Sequence, residues 1–256
     1  RGVPMPPPAQ HFWDVYLEVS RSQAEDYHDL RGYELSSRID VAGWGNFILR
    51  ELERILVPFF RIEPPLMSGP VPPRGDWDSL SLRDLATIKV KVSKLAPNLL
   101  QPPPEFLPDV LVLLRKSLQR MAAMIDDSSS LYWRTPTLHP TGDRGETLDV
   151  GAKSGYFLTF KELFDKLVEQ DIGAAKVEVA QWDSGDRIFF AKLFLYATGV
   201  PRLVEPSEAA RNILAMPDDV FWNSDVRREL LFALRAKWSE FALRDRGRIE
   251  RKLVAG

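Results

Sequence analysis

Val226-Arg227-Arg228-Glu229-Leu230-Leu231-Phe232-Ala233-Leu234-Arg235-Ala236-Lys237-Trp238 decides how the fold is read. Val226, Leu230, Leu231, Leu234, Trp238 and Phe241 recur at three- and four-residue spacing, the period of one helix face rather than the alternation of a strand. A second helix follows from about Arg244 to Val254. Moving toward the N-terminus, the same period returns between prolines. Pro206 suits the first position of a helix bearing Ala209, Ala210, Ile213 and Leu214, closed by Pro217. Asp218-Asp219 precedes a helix and suits its positive end. Asp186 opens a helix with Ile188, Phe189, Leu193, Phe194 and Tyr196, stopped by Gly199 and Pro201. Val177–Trp182 fits a strand or the end of a helix.

Thr159 and Glu162 form a capping box before Phe160, Leu163, Phe164, Leu167 and Val168. Phe106, Val110, Leu113, Leu114, Leu118 and Met121 share one side of a helix that runs to about Ile125, with Pro108 near its start. Leu82, Leu85, Ile88, Val92 and Leu95 predict a helix from the Ser81/Asp84 box to Pro97. Asp40 is the expected N-cap of a helix with Trp44, Phe47, Ile48, Leu52, Ile55 and Leu56, ended by Pro58. Phe12, Val15, Tyr16 and Val19 predict another helix, beginning near His11, and residues 1–10 read as a proline-rich linker. Residues 61–80, with Pro64, Pro65, Pro70, Pro72 and Pro73, read as one long loop. Residues 126–155, with Gly142, Gly145, Gly151 and Gly155, read as a second, holding a short strand or turn near Thr147–Val150.

The expected fold is therefore all-α: an irregular array of antiparallel helix pairs, HEAT-like and of the α-solenoid type, without a fixed repeat. Its helical domain covers 11–256, in sub-blocks 11–60, 81–127 and 156–256. At 256 residues the chain can bury a core without disulfides or metals. It has no cysteine, which excludes thiolate metal sites and cysteine nucleophiles and fits a cytoplasmic, reducing setting. The net charge of −2 provides no global pull toward nucleic acid or an anionic membrane. The apolar runs are too short to span a bilayer. Both ends read as cuts in a longer chain.

Chemistry is sparse. His11, His28 and His139 form no metal-ligand pair, and His139 reads as a solvated loop residue. Gly43-Trp44-Gly45 lacks the further glycine of a phosphate loop and reads as helix-start geometry. Asp149 with Glu178 could belong to a divergent metal-dependent hydrolase, but the usual lysine after the second acid is missing. No cofactor and no catalytic residue is expected.

Charge is polarised instead. Residues 226–252 hold Arg227, Arg228, Arg235, Lys237, Arg244, Arg246, Arg248, Arg251 and Lys252 against Glu229, Glu240, Asp245 and Glu250. That is nine bases less four acids, or +5; with the whole chain at −2 the remainder is −7. A solvated outer face with ion pairs such as Arg246 to Glu250 explains this; so does a contact surface for nucleic acid or an acidic partner. Lys89, Lys91 and Lys94 are a weaker basic group, because on a helix Lys89 and Lys91 face apart. Among seven tryptophans, Trp44, Trp182, Trp222 and Trp238 fit the core, and Trp77 and Trp133 sit on loops where they could anchor a partner. The candidate interaction surface is Trp77, Trp133, Arg227, Arg228, Arg235, Arg244, Arg248 and Arg251.

Phe221-Trp222, Arg227-Arg228-Glu229-Leu230-Leu231, Trp238 and Arg248-Ile249-Glu250-Arg251-Lys252-Leu253 with Gly256 resemble the helical C-terminal regions of large bacterial proteins with an upstream sirtuin-like domain, many of them linked to antiphage defence. The resemblance covers about the last 40 residues. It implies a non-catalytic scaffold or sensor region, with any NAD chemistry elsewhere in the parent protein. Expected partners are other domains of the parent chain, another protein, a second copy or nucleic acid, and no membrane.

Overall fold

The computed structural model describes residues 25–63, 87–95, 97–126, 135–139, 152–183, 185, 186 and 188–255. These residues are mostly helical, with one two-stranded sheet. They fall into two compact units, one within Arg1–Gln101 and Gln119–Trp133, the other within Pro102–Leu118 and Arg134–Gly256. Among the described residues no helix is long and apolar enough to cross a membrane. The helix expected near His11 and the loop turn at Thr147–Val150 lie outside the described residues.

In the first unit, α1 (Glu25–Ala42) packs on α2 (Asn46–Ile55). Gly43 breaks the run with φ 73°, a left-handed conformation that glycine adopts freely, and its N–H returns to Ile39 O at 2.8 Å. Gly45 precedes α2 in extended backbone. Asp40 is thus not the cap of α2. It sits in the last turns of α1, where its carboxylate accepts from Asn98 Nδ2 at 2.9 Å. Ser36 completes this bracket, donating to Asn98 Oδ1 at 2.7 Å. Gly32 allows α1 to lie against the segment after the sheet: a Cβ there would come within 2.9 Å of Lys94 O.

The sheet overturns one expectation. Thr87–Lys91 is not helical; it forms β2, antiparallel to β1 (Phe59–Glu63), with Phe59 opposite Lys91 and Phe60 opposite Val90. Ile88, Val90 and Val92 alternate with Lys89 and Lys91, so the segment satisfies period two as well as a helical period. β-branched residues favour the strand once a partner is available, and Val90 and Val92 are buried. As strand residues two apart, Lys89 and Lys91 share a face, the reverse of their helical placement. The long loop is correspondingly shorter at its start, since Arg61–Glu63 belong to β1.

A short 3-10 turn leads into α3 (Leu107–Asp126), whose residues up to Leu118 belong to the second unit and bury Leu107, Val110, Leu111, Leu114 and Leu118. α4 (Ala152–Gln170) starts earlier than its capping box. Thr159 and Glu162 lie inside the helix, because Tyr156 and Phe157 extend the buried face of Phe160, Leu163, Phe164 and Leu167 upstream. α5 (Ile172–Val179) is capped by Asp171, whose carboxylate accepts from Ala174 N at 3.0 Å, and it settles Val177 as helical. Trp182 follows in a turn and is buried.

α6 (Phe190–Gly199) begins after Asp186, which accepts from the N–H groups of Ile188 and Phe189 at 2.7 and 3.0 Å. Burial raises the Asp186 pKa, and those backbone bonds pull the other way. α7 (Pro206–Ala215) has Pro206 at its start, as read. α8 (Asp218–Phe221) is one turn, α9 spans Arg227–Lys237 and α10 spans Leu243–Val254. α6 packs on α9, and α7 on α10. On α9 the buried face is Glu229, Leu230, Ala233, Leu234 and Lys237. Leu231, expected inside, is 57% exposed. Trp222 is likewise exposed rather than core, while Trp44 and Trp238 are half-buried.

Candidate functional site

The most concentrated polar chemistry of the described residues lies where segment 135–139 crosses α6 and α9. The segment has neither helix nor strand. Lys192, on α6, donates to Thr135 O at 2.7 Å and Pro136 O at 3.2 Å. Glu229, on α9, accepts from Leu138 N at 2.9 Å and from Thr137 Oγ1 at 3.0 Å through the same oxygen, Oε1. Both clamping residues are inside the protein, 4% and 0% exposed. Glu229 falls on the buried arc of α9 beside Leu230, whereas α6 is buried nearly all round and encloses Lys192 with Ala191 and Leu193. A buried charge is tolerated only when hydrogen-bonded, and the segment's backbone supplies those bonds.

His139 ends the segment. It is not a solvated loop residue. Its ring stacks on Phe232 of α9 with centroids 4.1 Å apart and an 11° tilt, and Tyr196 of α6 lies 5.4 Å away. Desolvation lowers its pKa; the charge of Glu229 opposes this, and Lys161 and Arg228 add to it. Tyr196 is held in turn by α4: its hydroxyl donates to Asp165 at 2.7 Å, and Asp165 pairs with Lys161 at 2.7 Å, one helical turn away. Burial, then the bonded Asp165 carboxylate, pushes the Tyr196 pKa far up. Among the described residues, no group hydrogen-bonds Glu229 Oε2 or His139 Nε2, both buried atoms. The arrangement binds and orients a backbone.

The basic C-terminal face divides sharply. Lys237 is buried and donates to Glu240 at 3.1 Å. Lys252 donates to Met216 O at 2.6 Å and Leu214 O at 3.2 Å, anchoring α10 to the end of α7. Arg246 does not pair with Glu250; it donates to Ser239 O at 2.8 Å and Phe241 O at 3.0 Å, capping the turn before α10. Arg228 is half-buried, 5.7 Å from the Phe232 ring centroid. Arg227, Arg235, Arg244, Arg248 and Arg251 are exposed. Arg244, Arg248 and Arg251 stand at i, i+4 and i+7, one row on α10. Ile249 faces the opposite way and is fully buried. Trp77 and Trp133 lie outside the described residues.

Other candidates resolve into structure. Glu178 accepts from Trp182 Nε1 at 3.0 Å and lies 2.8 Å from Arg115, a buried network that ties α5 to α3; Asp149, its supposed partner, is outside the described residues. Among the described residues no group of three or more His, Asp or Glu side chains could hold a metal ion. Gly43-Trp44-Gly45 forms the α1–α2 corner. An open groove of about 220 Å³ there is lined by Glu34, Leu35, Arg38, Phe47, Glu51 and Ile55.

Sequence reading missed Lys192 and Glu229. The available signal was a charged residue falling in phase with an apolar face, which helical periodicity alone counts as a mismatch. No protein-family model matches the chain, and no curated protein or solved structure matches it either.

Proposed function

We propose that the chain is a non-catalytic helical scaffold or sensor segment of a larger bacterial protein, recognising a protein partner through the outer face of its last helices. The carrying observation is the row Arg244, Arg248 and Arg251, exposed where Arg246 and Lys252 are anchored to the backbone of other segments. Arg251 donates to Gly247 O of its own helix at 3.0 Å. Leu243 and Val254, 82% and 85% exposed, lie about a quarter turn around the helix from that row, at 100° per residue. Arginine mixed with exposed apolar groups suits a protein interface; a phosphate backbone needs only the charge. The expected partner surface is acidic with an apolar strip.

The HEAT-like reading draws support from the packing order. α6 on α9 and α7 on α10 is the first-on-first, second-on-second order of stacked helix pairs. The C-terminal resemblance favours a parent with a sirtuin-like domain of the antiphage type, acting in the cytoplasm.

The test compares the full-length parent with its Arg244→Glu, Arg248→Glu, Arg251→Glu triple variant. Loss of a cross-linked partner with an unchanged melting temperature supports the proposal; an unchanged set of partners overturns it. Nucleic acid is the second reading, since the same arginines could track phosphates. It requires binding at low salt that weakens as salt rises.

A further inference from the structure

Segment 135–139 is held as a peptide ligand is held. Its polar contacts with α6 and α9 run through backbone groups of Thr135, Pro136 and Leu138 and one hydroxyl, that of Thr137. Backbone contacts fix an extended register in any sequence, while pockets for side chains select among sequences. Here Pro136 and Leu138 are buried, and the His139 ring lies on Phe232. The clamp also has capacity that the segment does not use. A carboxylate offers about four acceptor sites. Glu229 Oε1 takes two bonds, while Oε2, in a residue with no solvent exposure, accepts from no described group. Such an unmet buried acceptor leaves the segment imperfectly held in its site.

We infer that the α6–α9 face around Lys192 and Glu229 is a binding site for a peptide of the Thr-Pro-x-Leu type, bent after its third residue and occupied by this chain's own Thr135–His139. A partner's segment therefore competes with a tethered copy, whose effective concentration is on the order of millimolar. The closed chain takes free peptide weakly, and a chain whose segment has opened takes it well. The site is separate from the arginine row of α10 and stands or falls independently of it.

The chain has no cysteine, so one introduced thiol reports on the segment alone. Leu138→Cys and the milder Thr137→Cys are labelled with a thiol reagent, with and without the free peptide Thr-Pro-Thr-Leu-His. Peptide that captures the vacated site raises the open population by 1 + [L]/Kd, about threefold at twice its Kd. Labelling should accelerate accordingly, and adding Lys192→Met should remove the acceleration. Labelling that ignores the peptide in a folded variant overturns the proposal. So does labelling that occurs only with global unfolding in urea, or failure of both variants to fold; either makes the segment a fixed part of the core.

Discussion

α9 and α10 are neighbours in sequence, both rich in charge, and they use it in opposite ways. On α9 the decisive charge is Glu229, fully buried and holding the amide of Leu138. On α10 it is the row Arg244, Arg248 and Arg251, turned to solvent and away from buried Ile249. A buried charge must be solvated by the protein itself, so its removal strands the groups it served. An exposed charge is solvated by water, so its removal costs the fold little. The difference separates residues that build this molecule from residues available to a partner.

Removing Glu229 gives the largest expected effect. Glu229→Ala strands the buried Leu138 amide and should cost about 3 kcal/mol, the sum of lost charge-assisted hydrogen bonds. Urea unfolding measures it, and a loss within 0.5 kcal/mol would erase the distinction between the two helices. Lys192→Met comes next, at about 2 kcal/mol. The apolar replacement removes the cost of burying an ammonium, which offsets part of the lost bonds. Unfolding of the double variant would show whether the clamp acts as a unit: a combined loss smaller than the sum is expected, because both residues hold the same segment.

A pH series sharpens the comparison from the side of His139. Burial lowers its pKa below the ordinary 6.5, so the native state keeps the ring neutral where the unfolded chain protonates it. The unfolded state then binds more protons, and stability falls as pH drops through and below 6.5. His139→Phe keeps a ring on Phe232 and should flatten that decline relative to the parent chain; His11 and His28 are common to both proteins and cancel. Parallel slopes would mean that the stacked ring titrates as in free solution. The smallest effect belongs to α10. Arg244→Ala, Arg248→Ala and Arg251→Ala together should shift stability by no more than about 0.5 kcal/mol each, while abolishing partner cross-linking. A cooperative loss of several kcal/mol would place the row among the fold's own contacts.

Much of the second unit was legible because its signals are local. Pro206 at the start of α7, Asp186 before α6 and Pro217 after α7 act through their own backbone geometry, whatever packs against them. The first unit was less legible. Ile88, Val90 and Val92 satisfy two periods at once, and only β1 across from them chooses between the two. Asp40 has the chemistry of a cap, but Gly43 ends α1 beyond it, and its carboxylate is claimed by Asn98, distant in sequence. The candidate site divides in the same way. The arginines of α10 were singled out by charge count, though not as one exposed row; the clamp joins residues 135–139 to positions 192 and 229 and has no local signature.

By itself, then, the sequence determined a mostly helical chain, the bounds of most C-terminal helices and the basic bias of the last two, since each follows from residues within a few turns of one another. Tertiary structure alone decided that Thr87–Lys91 is a strand, which basic residues are anchored and which are exposed, and that α6 and α9 close on a segment of their own chain. Each of those outcomes depends on desolvation and hydrogen bonding between residues far apart in sequence, and burial is a property of the packed molecule rather than of any stretch of it.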